Sequence, residues 1–142
     1  MEKRREFAEK IIKENRYLTL ASSDGGDPWI ATLEYLTDSE LNMYYFSMEE
    51  SKHSVQIAGN PTVAVSIFSN TQPEYEPGKD IQLAGVQIKG EVERLKGDYP
   101  EEVENVIQLI QPPMPPYAVY RIRTVELWIP LIENGLNTRV KV

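Results

Sequence analysis

The segment between two apparent strands, residues 41–46 and 62–68, carries the side chains best suited to hold an anion. Ser47 follows the first strand, and a short helical pattern over residues 51–59 opens with Ser51, Lys52 and His53. The start of an α-helix leaves backbone N–H groups without partners and carries a partial positive charge. Two hydroxyls, an ammonium and an imidazole placed there are suited to a phosphate group.

The same residues also have a purely structural interpretation. Serine is an ordinary N-terminal cap of a helix, and a Lys-His pair in a first turn is common on solvated surfaces. Glu49 and Glu50 would repel a phosphate unless their side chains point away from it. Both interpretations therefore stay open on this segment alone.

Length and composition limit the classes of protein to consider. A chain of 142 residues can bury one real core, so we expect a single domain over residues 1–142. The net charge of −7 argues against nucleic acid as a partner, because its phosphates favour a basic surface. The absence of cysteine and the single histidine, His53, exclude a cysteine-ligated or histidine-rich metal site. No apolar run reaches membrane-spanning length, and we expect a cytoplasmic protein.

Hydrophobic periodicity and turn residues divide the chain into three helices and up to seven strands. The helical patterns cover residues 2–15, 51–59 and 99–111. The strand patterns cover residues 17–22, 29–36, 41–46, 62–68, 82–95 and 117–131, with a shorter one at 138–142. Short connections join the first three strands and predict an antiparallel meander.

Two local features refine this division. Gly90 interrupts the strand pattern at 82–95, which predicts a β-bulge or a close approach of another backbone. The prolines within residues 112–116 rule out a helix there and predict a stiff connector.

The element pattern predicts a mainly β, α+β fold. Six or seven strands, mostly joined as hairpins and accompanied by small helices, are typical of an antiparallel β-barrel that is closed or nearly closed. A barrel also removes the strand edges that such apolar strands would otherwise expose. Trp29 and Trp128 could form walls of a ligand site, but large aromatic side chains in a small barrel favour a core position.

The order of these elements and several short motifs resemble the pyridoxamine 5'-phosphate oxidase-like, FMN-binding split barrels. The resemblance runs from about residue 17 to residue 95, with a weaker echo near the C-terminus. Its motifs are Leu20-Ala21-Ser22, Gly26-Asp27-Pro28, Tyr45-Phe46-Ser47, Ser51-Lys52-His53, Asn60-Pro61 and Ile88-Lys89-Gly90-Glu91. The implied fold is a six- to seven-stranded antiparallel split β-barrel with small flanking helices.

The resemblance also implies three groups of residues that contact FMN. Backbone groups of one strand would bond to the polar edge of the ring, at Ala31, Thr32, Leu33 and Glu34. The phosphate would lie at the strand end and helix start, at Phe46, Ser47, Ser51, Lys52 and His53. Gln87 would reach the flavin from its strand, and Trp128 and Arg139 would close the site from a second subunit.

The implied function is that of an FMN-binding flavoprotein, and we expect an oxidoreductase with the flavin at the interface of a homodimer. Its second reactant would be a small redox substrate or a reduced nicotinamide nucleotide. Leu36 stands where the true oxidase has a basic residue beside the phosphate of the vitamin, so pyridoxamine phosphate is not the expected substrate. No catalytic triad or carboxylate pair identifies a catalytic residue. A non-catalytic flavin carrier or sensor stays open, as does a barrel that holds another cofactor such as deazaflavin. Haem is disfavoured, because the single histidine, His53, falls at the phosphate-binding position.

Overall fold

The fold consists of three helices and eight strands within the part of the chain that is described. The structure is a computed structural model that describes residues 2–74, 76–81, 83–109 and 117–142. Its helices are α1 (Glu2–Glu14), α2 (Lys52–Gly59) and α3 (Glu101–Leu109). Its strands are β1 (Tyr17–Asp24), β2 (Asp27–Glu34), β3 (Leu36–Thr37), β4 (Met43–Met48), β5 (Thr62–Phe68), β6 (Gly85–Leu95), β7 (Tyr117–Glu133) and β8 (Leu136–Lys141).

The strands form one antiparallel sheet that curls into an open barrel. Its order is β2-β1-β5-β6-β7-β4-β3, and β8 pairs with β7 beside this path. Within the described residues, β2 pairs only with β1, so one edge of β2 has no strand partner. The predicted mainly β, α+β antiparallel barrel is confirmed, with the two-residue β3 as an additional strand.

The prediction of a meander through the first three strands is wrong. The first two strands do form a hairpin, closed by Gly25 and Gly26, but β4 pairs with β7 and β3 instead of β2. The inward side chains of β4 explain this choice, because Tyr45 stacks on Tyr120 of β7 with ring centroids 5.1 Å apart. Short connections limit where a strand can go, but the packing of its apolar face decides which strand it pairs with.

Alternation along the strands gives the barrel a buried apolar inner face and an exposed outer face. In β5 the residues Val63, Val65 and Ile67 are buried, and the residues between them are exposed. Helix α1 covers one end of the barrel with Ala8, Ile11 and Ile12, all of which belong to the main core cluster. The period-two patterns of the sequence thus correctly separated the two faces of this strand.

The predicted interruption at Gly90 is confirmed as both a register shift and a close approach. The pairing of β6 with β7 shifts between Lys89 and Gly90, so that Val125 is an extra residue on β7. A Cβ atom at Gly90 would lie 2.8 Å from Cγ2 of Ile122 and 3.1 Å from the carbonyl oxygen of Arg123. The bulge therefore requires a residue without a side chain on the opposing strand.

Element boundaries differ most where loop contacts compete with a strand pattern. The strand predicted from residue 82 begins at Gly85, because the side chain of Gln72 binds both the N–H and the carbonyl oxygen of Ala84. The helix predicted over residues 99–111 covers Glu101–Leu109. Its last two predicted residues and the predicted proline connector at 112–116 lie outside the described residues.

Candidate functional site

Three serine hydroxyls and one imidazole meet where β4 ends and α2 begins. The Oγ of Ser47 lies 2.7 Å from Nε2 of His53, and the Oγ of Ser51 lies 3.3 Å from both of these atoms. The Oγ of Ser51 also lies 2.7 Å from Oγ of Ser54. We refer to these four residues as the hydroxyl cluster. Ser54 was missed from the sequence, although its position three residues after Ser51 on a helix was a usable signal.

The start of α2 is not capped by a side chain, contrary to the prediction for Ser51. Ser51 does occupy the N-cap position, but its hydroxyl donates to the carbonyl oxygen of Met48 at 2.8 Å instead of accepting a bond from the helix. The first N–H groups of a helix have no intrahelical acceptors. Their partial positive charge therefore remains directed at the hydroxyl cluster and is suited to an anion.

His53 is buried and surrounded by neutral groups. It is 8% exposed, and its hydrogen-bond partners are the hydroxyls of Ser47 and Ser51. Behind it lies the ring of Tyr45, whose centroid is 6.2 Å from that of the imidazole. Burial lowers the pKa of His53, because the charged form loses hydration that its neighbours do not replace. The imidazole is therefore neutral near pH 7.

The ammonium of Lys52 is directed at the β1–β2 hairpin. Its Nζ lies 3.2 Å from Oδ2 of Asp27 and 4.5 Å from the centre of the Trp29 ring. Trp29 is 44% exposed, so the interpretation of this residue as core is wrong. The residues beside it on β2 are exposed as well, and the ring packs against the Lys52 side chain.

Helix α2 is fastened to this hairpin by buried amide contacts. Gln56, only 5% exposed, accepts a bond from the Ser22 hydroxyl at 2.6 Å and donates to the carbonyl oxygen of Asp27 at 3.0 Å. One turn later, Asn60 donates to the carbonyl oxygen of Ser23 at 3.0 Å. The hydroxyl cluster and the hairpin thus form one connected region of the barrel.

Along the edge of β2 that lacks a strand partner, every second residue has its backbone N–H and C=O groups free. The N–H of Tyr35 donates to the carbonyl oxygen of Arg16, and the two-residue turn closes the hairpin with Asp24 opposite Asp27. With this register, odd-numbered residues of β2 bond to β1, and even-numbered residues direct their N–H and C=O groups to the free edge. Of the four predicted residues, Thr32 and Glu34 present their backbone there, whereas Ala31 and Leu33 do not. Ile30, which the sequence did not indicate, shares the orientation of Thr32.

Two predicted residues have side chains engaged elsewhere. Phe46 is half-buried on the opposite face of β4 from Ser47, packed against the small cluster that contains Val103 and Val119. Only its backbone can therefore face the hydroxyl cluster. The side chain of Glu34 accepts a bond from Nε of Arg16 at 3.0 Å. Glu34 therefore contributes only its backbone groups to the free edge of β2.

Gln87, Trp128 and Arg139 meet on the outer face of the barrel. Gln87 is opposite Trp128 in the β6–β7 ladder, and Nε of Arg139 donates to Oε1 of Gln87. We refer to these three residues as the outer cluster. Gln87 and Trp128 line a groove of about 360 Å³ whose floor includes Ala21 and Ala64. In the sheet order, β6 is three strands from β2, roughly 14 Å at the usual strand spacing.

A second cavity, of about 410 Å³, lies near α1 and contains none of the predicted site residues. Arg5, Arg123 and Lys141 contribute to its walls, as does Thr124, whose buried hydroxyl lacks a partner among the described residues. In the part of the chain that is described, no cluster of three or more His, Asp or Glu side chains could hold a metal ion. No described helix has the length and apolarity needed to cross a bilayer.

Comparisons with known proteins agree with the sequence resemblance. The sequence model described as pyridoxamine 5'-phosphate oxidase matches residues 5–129. UPF0306 protein YhbP of Escherichia fergusonii is 34% identical over 88 residues, which are 61% of this chain and 56% of that relative. The match thus spans little more than half the length of the relative.

Solved structures with the same fold bind different cofactors. An FAD-binding protein from Mesorhizobium loti superposes with a TM-score of 0.60 at 21% identity, over 84% of this chain and 88% of that one. HutZ, the haem storage protein from Vibrio cholerae, superposes with a TM-score of 0.58 at 15% identity, over 89% and 91%. At such low identity these two likenesses show the fold alone. The family match covers most of the chain, and on this basis the chain belongs to the pyridoxamine 5'-phosphate oxidase family.

Proposed function

We propose that the protein binds FMN, with the flavin phosphate at the hydroxyl cluster and the polar edge of the ring along the free edge of β2. The observation that carries this proposal is the uncapped start of α2, which faces the hydroxyls of Ser47 and Ser51. A phosphate there would accept bonds from the helix N–H groups and from both hydroxyls. Lys52, in the same first turn, would supply the full positive charge.

The free edge of β2 matches the other end of the ligand. The polar edge of an isoalloxazine ring carries both donors and acceptors, and a strand edge offers both kinds of group at alternate residues. Thr32 and Glu34 present these groups in this structure, and Ile30 extends the series toward Trp29. The contacts between α2 and the hairpin hold this edge and the hydroxyl cluster in one region.

The proposed site includes a second copy of the chain. The outer cluster lies three strands from β2 in the sheet order, and a two-fold axis would bring the partner copy's outer cluster over a ring held at the β2 edge. Exposed apolar side chains on the same outer face support such a contact, because Ile30 is 64% and Phe68 62% exposed. Gln87, Trp128 and Arg139 would then close the site from the partner.

The proposed activity is that of an oxidoreductase acting on a small redox substrate or a reduced nicotinamide nucleotide. The flavin supplies the electron transfer when bound, and the residues of this chain bind it, orient it and exclude water. Leu36 packs beside the apolar cluster of Tyr44 and Val103, so this position offers no charge to the phosphate of pyridoxamine. A non-catalytic carrier or sensor, or a barrel loaded with deazaflavin, would use the same contacts.

Haem storage, the role of the structural neighbour HutZ, has less support in this chain. Iron ligation by histidine needs a free ring nitrogen facing the haem. His53 is the single histidine of the sequence, it is buried, and its Nε2 is bonded to Ser47 at 2.7 Å. The hydroxyl cluster that holds it is suited to phosphate oxygens instead.

We expect FMN to bind roughly ten- to a hundred-fold more tightly than riboflavin, the difference that a charge-assisted phosphate contact produces. Titration of each flavin with the purified protein, followed by quenching of flavin fluorescence, measures both dissociation constants. The absorption spectrum of the purified protein and its bleaching by a reduced nicotinamide nucleotide then separate an oxidoreductase from a carrier. Equal affinities for the two flavins would contradict a phosphate site.

A second prediction is that the flavin-loaded protein is a dimer. Light scattering of the FMN complex should give twice the chain mass of 16.3 kDa. Ala64→Arg would place a bulky charge on the floor of the outer groove and should weaken both dimer formation and FMN binding. Thr71→Arg, which adds the same charge at an exposed loop residue that does not line the groove, is the matched control. A flavin-loaded monomer would rule out the second copy as part of the site.

A third prediction concerns pH. Burial lowers the pKa of His53 in the free protein, whereas a neighbouring phosphate dianion would favour its charged form, so FMN binding should take up a proton. FMN affinity should therefore rise as the pH falls from about 8 to about 6, where phosphate itself begins to take up a proton. In the free protein the lowered pKa acts the other way: its contribution to stability is present above about pH 6.5 and is lost as the pH falls.

Measurements of FMN affinity across this range in the wild type and in His53→Gln test the prediction. The substitution should flatten the profile, because glutamine keeps a hydrogen-bonding side chain but does not titrate. A profile that keeps its slope in the variant would assign the proton to another group.

A further inference from the structure

We propose that Asp27 lowers the affinity of this site for phosphate by holding Lys52 at the β1–β2 hairpin. The ion pair between Asp27 and Lys52 must break before the ammonium can contact a ligand phosphate. This inference rests on the proposed function and adds to it a residue that controls selectivity. Asp27 would not touch the ligand; it would act through Lys52. The contact carrying the inference is the 3.2 Å pair between Nζ of Lys52 and Oδ2 of Asp27.

Two groups of the β1–β2 hairpin contact the Lys52 ammonium and would compete with a phosphate for it. The hydrogen bonds within the hydroxyl cluster join Ser47, Ser51, His53 and Ser54 to one another, and the ammonium is directed at the hairpin instead. The Trp29 ring, 4.5 Å from Nζ, attracts the same ammonium through its π-face. A phosphate at the start of α2 must therefore draw Lys52 away from a carboxylate and an aromatic ring.

The backbone holds Asp27 in place for this role. The buried amide of Gln56 donates to the carbonyl oxygen of Asp27 at 3.0 Å and accepts from Ser22 across the hairpin at 2.6 Å. The tight Gly25-Gly26 turn, in which both residues have positive φ, directs the strand back so that Asp27 faces α2. The hairpin and the helix thus bring Asp27 and Lys52 together before any ligand binds.

The exposure of the pair determines how strong this competition is. The Lys52 side chain is 45% and the Asp27 side chain 63% exposed, so water screens their attraction. Such a pair is easily opened by a phosphate dianion backed by a helix start, but not by a neutral ligand. Asp27 should therefore reduce FMN affinity by about two- to five-fold and leave riboflavin affinity unchanged.

A double-mutant cycle tests whether Asp27 acts through Lys52. FMN and riboflavin are titrated into the wild type, Asp27→Asn, Lys52→Ala and the double variant. Asp27→Asn should bind FMN two- to five-fold more tightly than the wild type, and the gain should vanish when Lys52 is alanine. Asp24→Asn is the matched control, because it removes the same charge from the same hairpin while its carboxylate lies against Gly59 at the far end of α2.

Three outcomes of the cycle would overturn the proposal. Weaker FMN binding by Asp27→Asn would mean that Asp27 helps to orient Lys52 for the ligand. An equal gain in the Lys52→Ala background would show simple repulsion between Asp27 and the phosphate. An equal gain from Asp24→Asn would show a general effect of net charge.

A measurement without flavin separates this proposal from the proposed function. Trp29 and Trp128 are the two tryptophans of the chain, so their indole N–H signals are resolved by NMR and assigned with Trp29→Phe. Inorganic phosphate should shift the Trp29 signal saturably in the wild type as Lys52 leaves the ring, and should not do so in Lys52→Ala, at an ionic strength matched with sodium chloride. A Trp29 signal that phosphate leaves unmoved overturns the role of Asp27 even if FMN binds. A phosphate-induced shift of the Trp29 signal in a protein that does not bind FMN would support the role of Asp27 and contradict FMN as the ligand.

Discussion

Lys52→Ala should weaken FMN binding by roughly ten- to a hundred-fold, because it removes a charge-assisted contact worth about 1.5–3 kcal/mol. We expect the loss to lie near the lower end of that range. The phosphate must first break the ion pair between Asp27 and Lys52, and this cost reduces the net contribution of Lys52 to FMN binding. Riboflavin lacks the phosphate, so its affinity should stay nearly unchanged. Titrations of both flavins at two salt concentrations measure the effect, and higher salt should reduce the difference between wild type and variant.

Two controls show whether the loss reflects the phosphate. Lys52→Arg keeps the positive charge and should retain most of the FMN affinity. The unfolding free energy of Lys52→Ala should stay within about 0.5 kcal/mol of the wild type, because the side chain is 45% exposed and its ion pair is screened. If the alanine variant binds FMN as the wild type does, Lys52 is ordinary surface, which was the structural interpretation of its motif.

Gly90→Val should destabilise the barrel by roughly 1–3 kcal/mol, the usual cost of forcing extra methyl groups into a packed interior. A Cβ at this position would lie 2.8 Å from Cγ2 of Ile122, which is fully buried, and 3.1 Å from a backbone oxygen that cannot rotate away. Denaturant unfolding of the wild type and variant measures the change as a shift in midpoint. Thr62→Val is the matched control, since it changes an exposed side chain on the adjacent strand that does not line the outer groove.

The consequence of this substitution should extend to the outer cluster. The bulge opposite Gly90 shifts β7 by one residue and thereby sets Trp128 opposite Gln87 on the outer face. Relief of the clash by moving β7 would disturb this pairing and change the emission of Trp128, read in a Trp29→Phe background. An unchanged stability and emission in Gly90→Val would show that the two strands can separate enough to accept a side chain.

Local spacing was enough to group three of the four members of the hydroxyl cluster, all except Ser54. Ser47, Ser51 and His53 lie within seven consecutive residues, and a strand end followed by a first helical turn leaves few ways to arrange them. The bulge at Gly90 was predicted for a similar reason, because a glycine within an alternating strand signals backbone contact whichever strand is opposite. The family resemblance rested on these same short segments and was confirmed by the match over residues 5–129.

The features of the fold that the sequence did not predict depend on pairing between strands that are distant along the chain. Whether β4 joins β2 or β7 depends on the stack of Tyr45 on Tyr120, two residues separated by most of the chain. The free edge of β2 depends on that choice, and the closure of the hairpin at Asp24 and Asp27 decides which of its backbone groups are free.

The direction of long polar side chains likewise required the tertiary structure. The pattern around Lys52 indicated a cation at a helix start, but its ammonium lies at Asp27 and Trp29, on a hairpin that precedes it by more than twenty residues. Trp29 was expected in the core because large aromatic side chains in a small barrel favour it, yet its stretch of β2 is exposed and so is the ring. The sequence by itself therefore determined the residue types, the strand faces and the grouping of Ser47, Ser51 and His53, which depend on neighbours along the chain. The strand partners, the free edge of β2 and the pairing of Lys52 depend on contacts between distant segments, whose register is set by the packing of the whole barrel.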